Sequence, residues 1–143
     1  AKYSPIIEIG AGTGYWTSLL KQMGVDILAF DANPPSENDV LSNHYHRGVK
    51  THTEIKIGGP KTIRQYPNRT LFLCWPPYKT KMATSALNIY QGKYFIYIGE
   101  SDGGCTGNKN FHRQLKAHWK EIEWVSLVQW PHIHDRLYIY ERK

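Results

Sequence analysis

Gly10-Ala-Gly-Thr-Gly14 follows the apolar run Ile6-Ile-Glu-Ile9 and precedes a stripe of Trp16, Leu19, Leu20 and Met23 at helical spacing. A strand that runs through such a turn into a helix presents the unpaired N–H groups of the helix start. Its glycines admit the positive φ that lets a ligand touch the backbone. The chemistry implied is the holding of a nucleotide-like ligand. Spacing narrows the choice, because a dinucleotide fingerprint reads GxGxxG whereas this turn reads GxGxG and continues with Tyr15. A nicotinamide-dependent oxidoreductase is therefore disfavoured. Two carboxylates accompany the turn: Glu8, two residues before Gly10, and Asp31, which ends the next apolar run 21 residues after Gly10.

Further candidates fall at other strand ends. Trp75-Pro-Pro-Tyr78 closes the run from Thr70 to Cys74, either as a rigid aromatic turn or as a substrate-placing wall. Glu100 and Asp102 open the glycine-rich segment from Gly99 to Gly107, and either could accept a proton. Nothing in the sequence lowers the pKa of Cys105, so a nucleophilic thiol is the weaker idea. The pairs His44-Tyr-His46 and His132-Ile-His134 each put two imidazoles on one side of an extended chain. No carboxylate accompanies either pair convincingly, so no metal site is expected.

These residues need a scaffold. Seven strand-like runs are legible: Ile6–Ile9, Asp26–Asp31, Glu54–Ile57, Thr70–Cys74, Tyr94–Ile98, Glu123–Val128 and Arg136–Glu141. Helical stripes alternate with them: Trp16 to Met23 ended by Gly24, then Ala83, Ala86, Leu87 and Tyr90, then Phe111, Leu115 and Trp119 behind Asn108 as N-cap. The alternation predicts an α/β fold with a mostly parallel sheet. The last two runs are joined only by Trp130 to Asp135, too short for a crossover, so they pair antiparallel. From Ala32 to His52 no helical stripe is sustained, and a loop is expected there. In such sheets ligands bind beyond the carboxyl ends of the parallel strands, which here are the Gly10–Gly14 turn, Asp31, Gly58-Gly59, Trp75 to Tyr78 and the segment Gly99 to Gly107.

Strand, GxGxG turn, helix, second strand and its terminal Asp31 together resemble motif I of the S-adenosylmethionine-dependent methyltransferases. The resemblance covers nearly the whole chain and implies the Rossmann-like methyltransferase sheet of order 3-2-1-4-5-7-6. It also implies S-adenosylmethionine as cofactor, with Asp31 accepting from the ribose hydroxyls and the methionine end near Glu8, Gly10, Gly12 and Gly14. Trp75-Pro-Pro-Tyr78 is similar to the turn with which methyltransferases acting on nitrogen end the fourth strand, there an Asp or Asn before Pro-Pro and an aromatic residue. Trp75 departs from that pattern, since an indole has no oxygen to accept from an amino group. Trp75, Tyr78 and Glu100 are then the catalytic candidates, Trp75 also counts as cofactor-binding, and Tyr15, Trp16 or Trp75 would face the cofactor sulfonium. The missing second helix is a further departure.

Composition limits the remaining classes. The chain of 143 residues, 41% hydrophobic and 13% aromatic, supports a single domain, 1–143, and excludes disorder. Its short apolar runs exclude a membrane span, and two cysteines without a CxxC fit a reducing compartment, the cytoplasm being favoured. An upstream segment is expected to be missing before Ala1. Of the net charge of +6, the window Val40 to Lys81 alone supplies more than the whole, with eight basic residues against Glu54. Tyr45, Tyr66, Trp75 and Tyr78 are interleaved with those cations, a mixture that suits single-stranded nucleic acid, RNA favoured, with Arg64 and Arg69 as the leading contacts. The alternatives are a solvated basic face and a non-catalytic methyltransferase-like module for RNA binding or assembly.

Overall fold

The computed structural model describes residues 2–39 and 43–143. The strands are β1 (Ile6–Ile9), β2 (Ile27–Asp31), β3 (Lys56–Ile57), β4 (Thr70–Cys74), β5 (Tyr94–Gly99), β6 (Trp119–Ser126) and β7 (Arg136–Arg142). They form one sheet of order β3-β2-β1-β4-β5-β7-β6. Pairings from β3 through β5 are parallel, and β7 is antiparallel to both β5 and β6, as the short final connection requires. This is the fold and strand order expected from the sequence.

Both faces of the central strands are covered, which is why β1, β4 and β5 read as nearly unbroken apolar runs. Ile7, Ile9, Leu71, Leu73, Phe95 and Tyr97 point to one face. There they meet Ala83, Ala86 and Leu87 of α2 (Met82–Ile89) and Phe111 and Leu115 of α3 (Lys109–His118). Ile6, Ile27, Phe72, Ile96 and Ile98 point to the other, where Trp16 and Leu20 of α1 (Tyr15–Gln22) pack with Leu127 and Leu137. Asn108 caps α3 as expected, its side chain accepting from the Phe111 N–H at 2.9 Å.

Several local expectations are corrected. β6 begins at Trp119, directly out of α3, and not at Glu123, so Trp119 belongs to the strand while its ring remains buried against Phe95 and Tyr90. Met23 is not part of a buried stripe: it follows α1 and is 78% exposed, and the fully buried α1 side chain is Thr17. A 3-10 helix, Pro60–Gln65, inserts Ile63 under the sheet between β3 and β4, a region whose sequence carries no helical stripe. Between β2 and β3 no helix is found among the described residues.

Candidate functional site

Because β2, β1 and β4 are parallel neighbours, their carboxyl ends bring Asp31, the Gly10–Gly14 turn and Trp75 side by side. They surround a cavity of about 960 Å³, at the upper end of the volumes that hold small ligands and cofactors. Gly10, Gly12 and Gly14 all have φ between 54° and 75°, a left-handed conformation that side chains resist. The close approach of neighbours adds a second constraint, since a Cβ on Gly12 would stand 2.8 Å from His46 Nε2. Gly14 starts α1 with no capping side chain. The first N–H groups of that helix therefore stay available to a ligand.

Asp31 ends β2 with both carboxylate oxygens engaged from the protein side: Oδ2 accepts from Gly12 N–H and Oδ1 from Asn33 N–H, each at 2.9 Å. Each oxygen keeps a further lone pair for a ligand hydroxyl. Glu8 is only 2% exposed and accepts from the Thr17 hydroxyl of α1. Burial pushes its carboxyl up to about 7, with the Thr17 bond opposing and the nearby Asp31 charge adding to the rise. Near neutral pH this group takes up or gives away a proton readily, and a cation beside it would draw it to the ionised form.

The segment 43–46 lines the opposite wall. Asn43 is buried and folds that segment around itself: its Oδ1 accepts from the N–H groups of Tyr45 and His46 at 2.9 and 3.0 Å, and its Nδ2 donates to Asn33 O at 2.7 Å. His44 and His46 thus belong to the cavity lining, although the sequence suggested them only as members of a rejected metal pair. Among the described residues no group of three or more His, Cys, Asp or Glu is placed to hold a metal ion.

Trp75 and Tyr78 form the rim over β4, with Lys79 beside them. Trp75 adopts φ +49°, and its indole N–H donates to Asp135 Oδ2 at 2.8 Å. The turn is bound to the loop after β5, where Gly107 N–H donates to Pro76 O at 2.8 Å. Glu100 lies behind this wall, outside the cavity lining, with Cys105 in front of it. Its Oε2 accepts from Cys105 N–H at 2.6 Å and its Oε1 from His134 N–H at 3.1 Å. Those backbone donors hold its carboxyl below the usual range, which makes it a weaker base and a tie between two loops. Asp102 is paired with Lys116 at 2.7 Å, and the Cys74 thiol is pushed up by burial and by the nearby Glu8 and Asp135 charges.

The basic window divides. Val40, where it begins, lies outside the described residues, while Lys79 reaches the rim. Arg69 does not: it clamps the opposite end of the sheet, donating to Asp26 through both terminal nitrogens at 2.8 and 3.2 Å and to Ile6 O at 3.1 Å. That corrects its expected role as an RNA contact, because Thr70 starts β4 at the amino ends of the parallel strands. Arg64 is exposed on the 3-10 helix.

No protein-family model matches the sequence. No curated protein matches it either. Solved structures do. SMU.1697c of Streptococcus mutans, assigned as a methyltransferase and solved in complex with S-adenosylhomocysteine, superimposes with a TM-score of 0.52 at 14% identity, over 96% of this chain and 88% of that one. An rRNA methylase of Streptococcus thermophilus gives a TM-score of 0.52 at 14% identity, over 96% and 86%. At such identity the likeness is one of fold, and the fold of this chain is the Rossmann-like methyltransferase sheet.

Proposed function

We propose that the protein is an S-adenosylmethionine-dependent methyltransferase whose acceptor is single-stranded RNA. The observation that carries the reading is the pair of carboxylates, Glu8 and Asp31, on either side of an uncapped helix start in one cavity with an aromatic and basic rim. The residues fit this cofactor by charge and polarity. Asp31 suits vicinal ribose hydroxyls, Glu8 suits an ammonium, and the α1 start suits a carboxylate. SMU.1697c was solved in complex with S-adenosylhomocysteine, and the Streptococcus thermophilus structure is of an rRNA methylase, which agree with the reading.

When bound, S-adenosylmethionine supplies an electrophilic methyl group on a sulfonium. Asp31 would fix the ribose, and the Gly10–Gly14 turn with the α1 start would take the amino-acid carboxylate, while Glu8 neutralises the ammonium. Trp75 and Tyr78 hold a planar acceptor by stacking, and catalysis is chiefly alignment in a water-poor site. Glu100 positions the Cys105 and His134 peptides rather than taking a proton. Lys79 supplies a phosphate contact at the rim.

A second reading, a non-catalytic binding module, draws on one observation: among the described residues, Glu100 and Asp102, the carboxylates near the acceptor side, are both engaged by other groups of the protein. A transfer assay with methyl-labelled S-adenosylmethionine on total RNA, protein and small-molecule extracts decides between them. Label in RNA, lost in Asp31→Ala, is expected. Cofactor binding without label in any fraction favours the module. Label in protein or small molecules alone rejects RNA as acceptor.

A further inference from the structure

Trp75 is the residue of the cavity wall whose backbone departs furthest from what its type prefers. At φ +49° it occupies the left-handed region that bulky side chains avoid. Such a conformation persists only where surrounding contacts over-determine it, and it is most informative at a functional site. Two contacts do so here. The Trp75 N–H donates to Ile98 O at 2.8 Å, extending the β4–β5 pairing by one residue. The indole N–H donates to Asp135 Oδ2 at 2.8 Å, across 60 residues of sequence.

Asp135 is itself fixed at the end of the β6–β7 connection. Its carbonyl accepts from Gln129 Nε2 at 2.6 Å, and the adjoining His134 N–H is held by Glu100. Its second carboxylate oxygen, Oδ1, is buried and has no hydrogen-bond partner among the described residues. A carboxylate oxygen buried without a donor is costly, and a nearby cation relieves that cost. With its only donor turned to Asp135, the indole of Trp75 has no polar hydrogen to offer the cavity it lines, only ring face and C–H edge. The hydrogen bond to an anion also makes that surface more electron-rich.

The sheet order says what lies against it. Asp31 stands on β2, the glycine turn after β1 and Trp75 after β4, so a ligand whose ribose is held at Asp31 and whose amino acid lies at the turn turns its sulfonium, between the two, toward the β4 side and Trp75. We propose that Asp135 is a positioning residue: by taking the indole N–H it holds Trp75 with its ring toward the sulfonium, so that the site prefers the cationic cofactor to the uncharged thioether it becomes. This rests on the cofactor reading above. A sulfonium over an indole face is favoured by about 3- to 30-fold.

The test is calorimetric titration of the full chain with S-adenosylmethionine and with S-adenosylhomocysteine, read as the ratio of the two affinities. Asp135→Ala should weaken S-adenosylmethionine by about 3- to 30-fold and leave S-adenosylhomocysteine within about twofold. Asp135→Asn, whose amide oxygen still accepts the indole N–H, should restore most of the difference. The ¹H–¹⁵N spectrum carries an independent signature, since the chain has five Trp: the indole cross-peak missing from Trp75→Phe should shift in Asp135→Ala and return toward its place in Asp135→Asn. Should Asp135→Ala fail to fold, Trp75→Phe must show the reduced ratio. An unchanged ratio in folded Asp135→Ala, or equal weakening of both ligands, overturns the proposal while leaving the cofactor reading standing. Absence of binding of either ligand to the wild type overturns both.

Discussion

Replacing Glu8 by Gln keeps the side chain's size and its ability to accept from Thr17, and removes only the charge. The wild-type carboxyl is 2% exposed and titrates at about 7, against an ordinary value of 4.5. Because the folded state holds the proton more tightly than the unfolded chain, the resulting stability is fully present below pH 4.5 and is lost as pH rises through about 7. The difference is worth ~3 kcal/mol, which for a chain of this size moves Tm by roughly 6–12 °C. Thermal unfolding of both proteins from pH 5 to pH 8, at roughly one-unit steps, measures it. Wild type should lose stability over that interval, Glu8→Gln should stay nearly level, and the curves should cross so that the variant is the more stable at the alkaline end. The same charge is needed to meet a ligand ammonium, so the variant should bind S-adenosylmethionine about tenfold more weakly at neutral pH. Parallel loss of stability in both proteins would refute the assignment of that titration to Glu8.

Arg69→Ala should lower stability by about 1–2 kcal/mol in urea, a figure discounted because its partner Asp26 is largely exposed, and should leave RNA retention on a filter unchanged. Asn108→Ala should cost ~1 kcal/mol as a lost N-cap, and more because the same side chain also donates to Thr80 O and accepts from Thr84, which differential scanning calorimetry would read as a lower Tm. Glu100→Gln should destabilise by about 1.5–3 kcal/mol at neutral pH. That loss should fade as pH falls below 4.5, the ordinary value from which its carboxyl is lowered, because stability from a depressed carboxyl is lost on protonation. Chemical denaturation at several pH values checks the convergence.

The parts of this fold that the sequence reveals are those with a local signature. β1, β4 and β5 are apolar on both faces, Asn108 stands at the right distance from Phe111, and the glycine turn needs its own residues whatever surrounds it. Trp119 stands four positions after Leu115 and so fits the helical stripe, yet the same bulky ring suits the first inward position of a strand, and the pairing with Arg142 decides it. Thr17 lies off the stripe of Trp16, Leu19 and Leu20, so periodicity does not single it out, although its hydroxyl is what makes a buried Glu8 tolerable. The partners of Arg69 and Trp75 lie 43 and 60 residues away, beyond any periodicity. His44 and His46 were visible as a pair, but only Asn43 and the packing over Gly12 turn them toward the cavity.

The central claim is that Asp31 holds the ribose of S-adenosylmethionine, with the Gly10–Gly14 turn at its amino-acid end. Calorimetric titration of wild type and Asp31→Ala with that ligand, with NAD as a control, tests it most directly. Wild type should bind S-adenosylmethionine and ignore NAD. Asp31→Ala, folded by circular dichroism, should bind about tenfold or more weakly, as expected for the loss of roughly 1.5–3 kcal/mol of charge-assisted bonds. Equal affinity in the two proteins, or preference for NAD, would contradict the account.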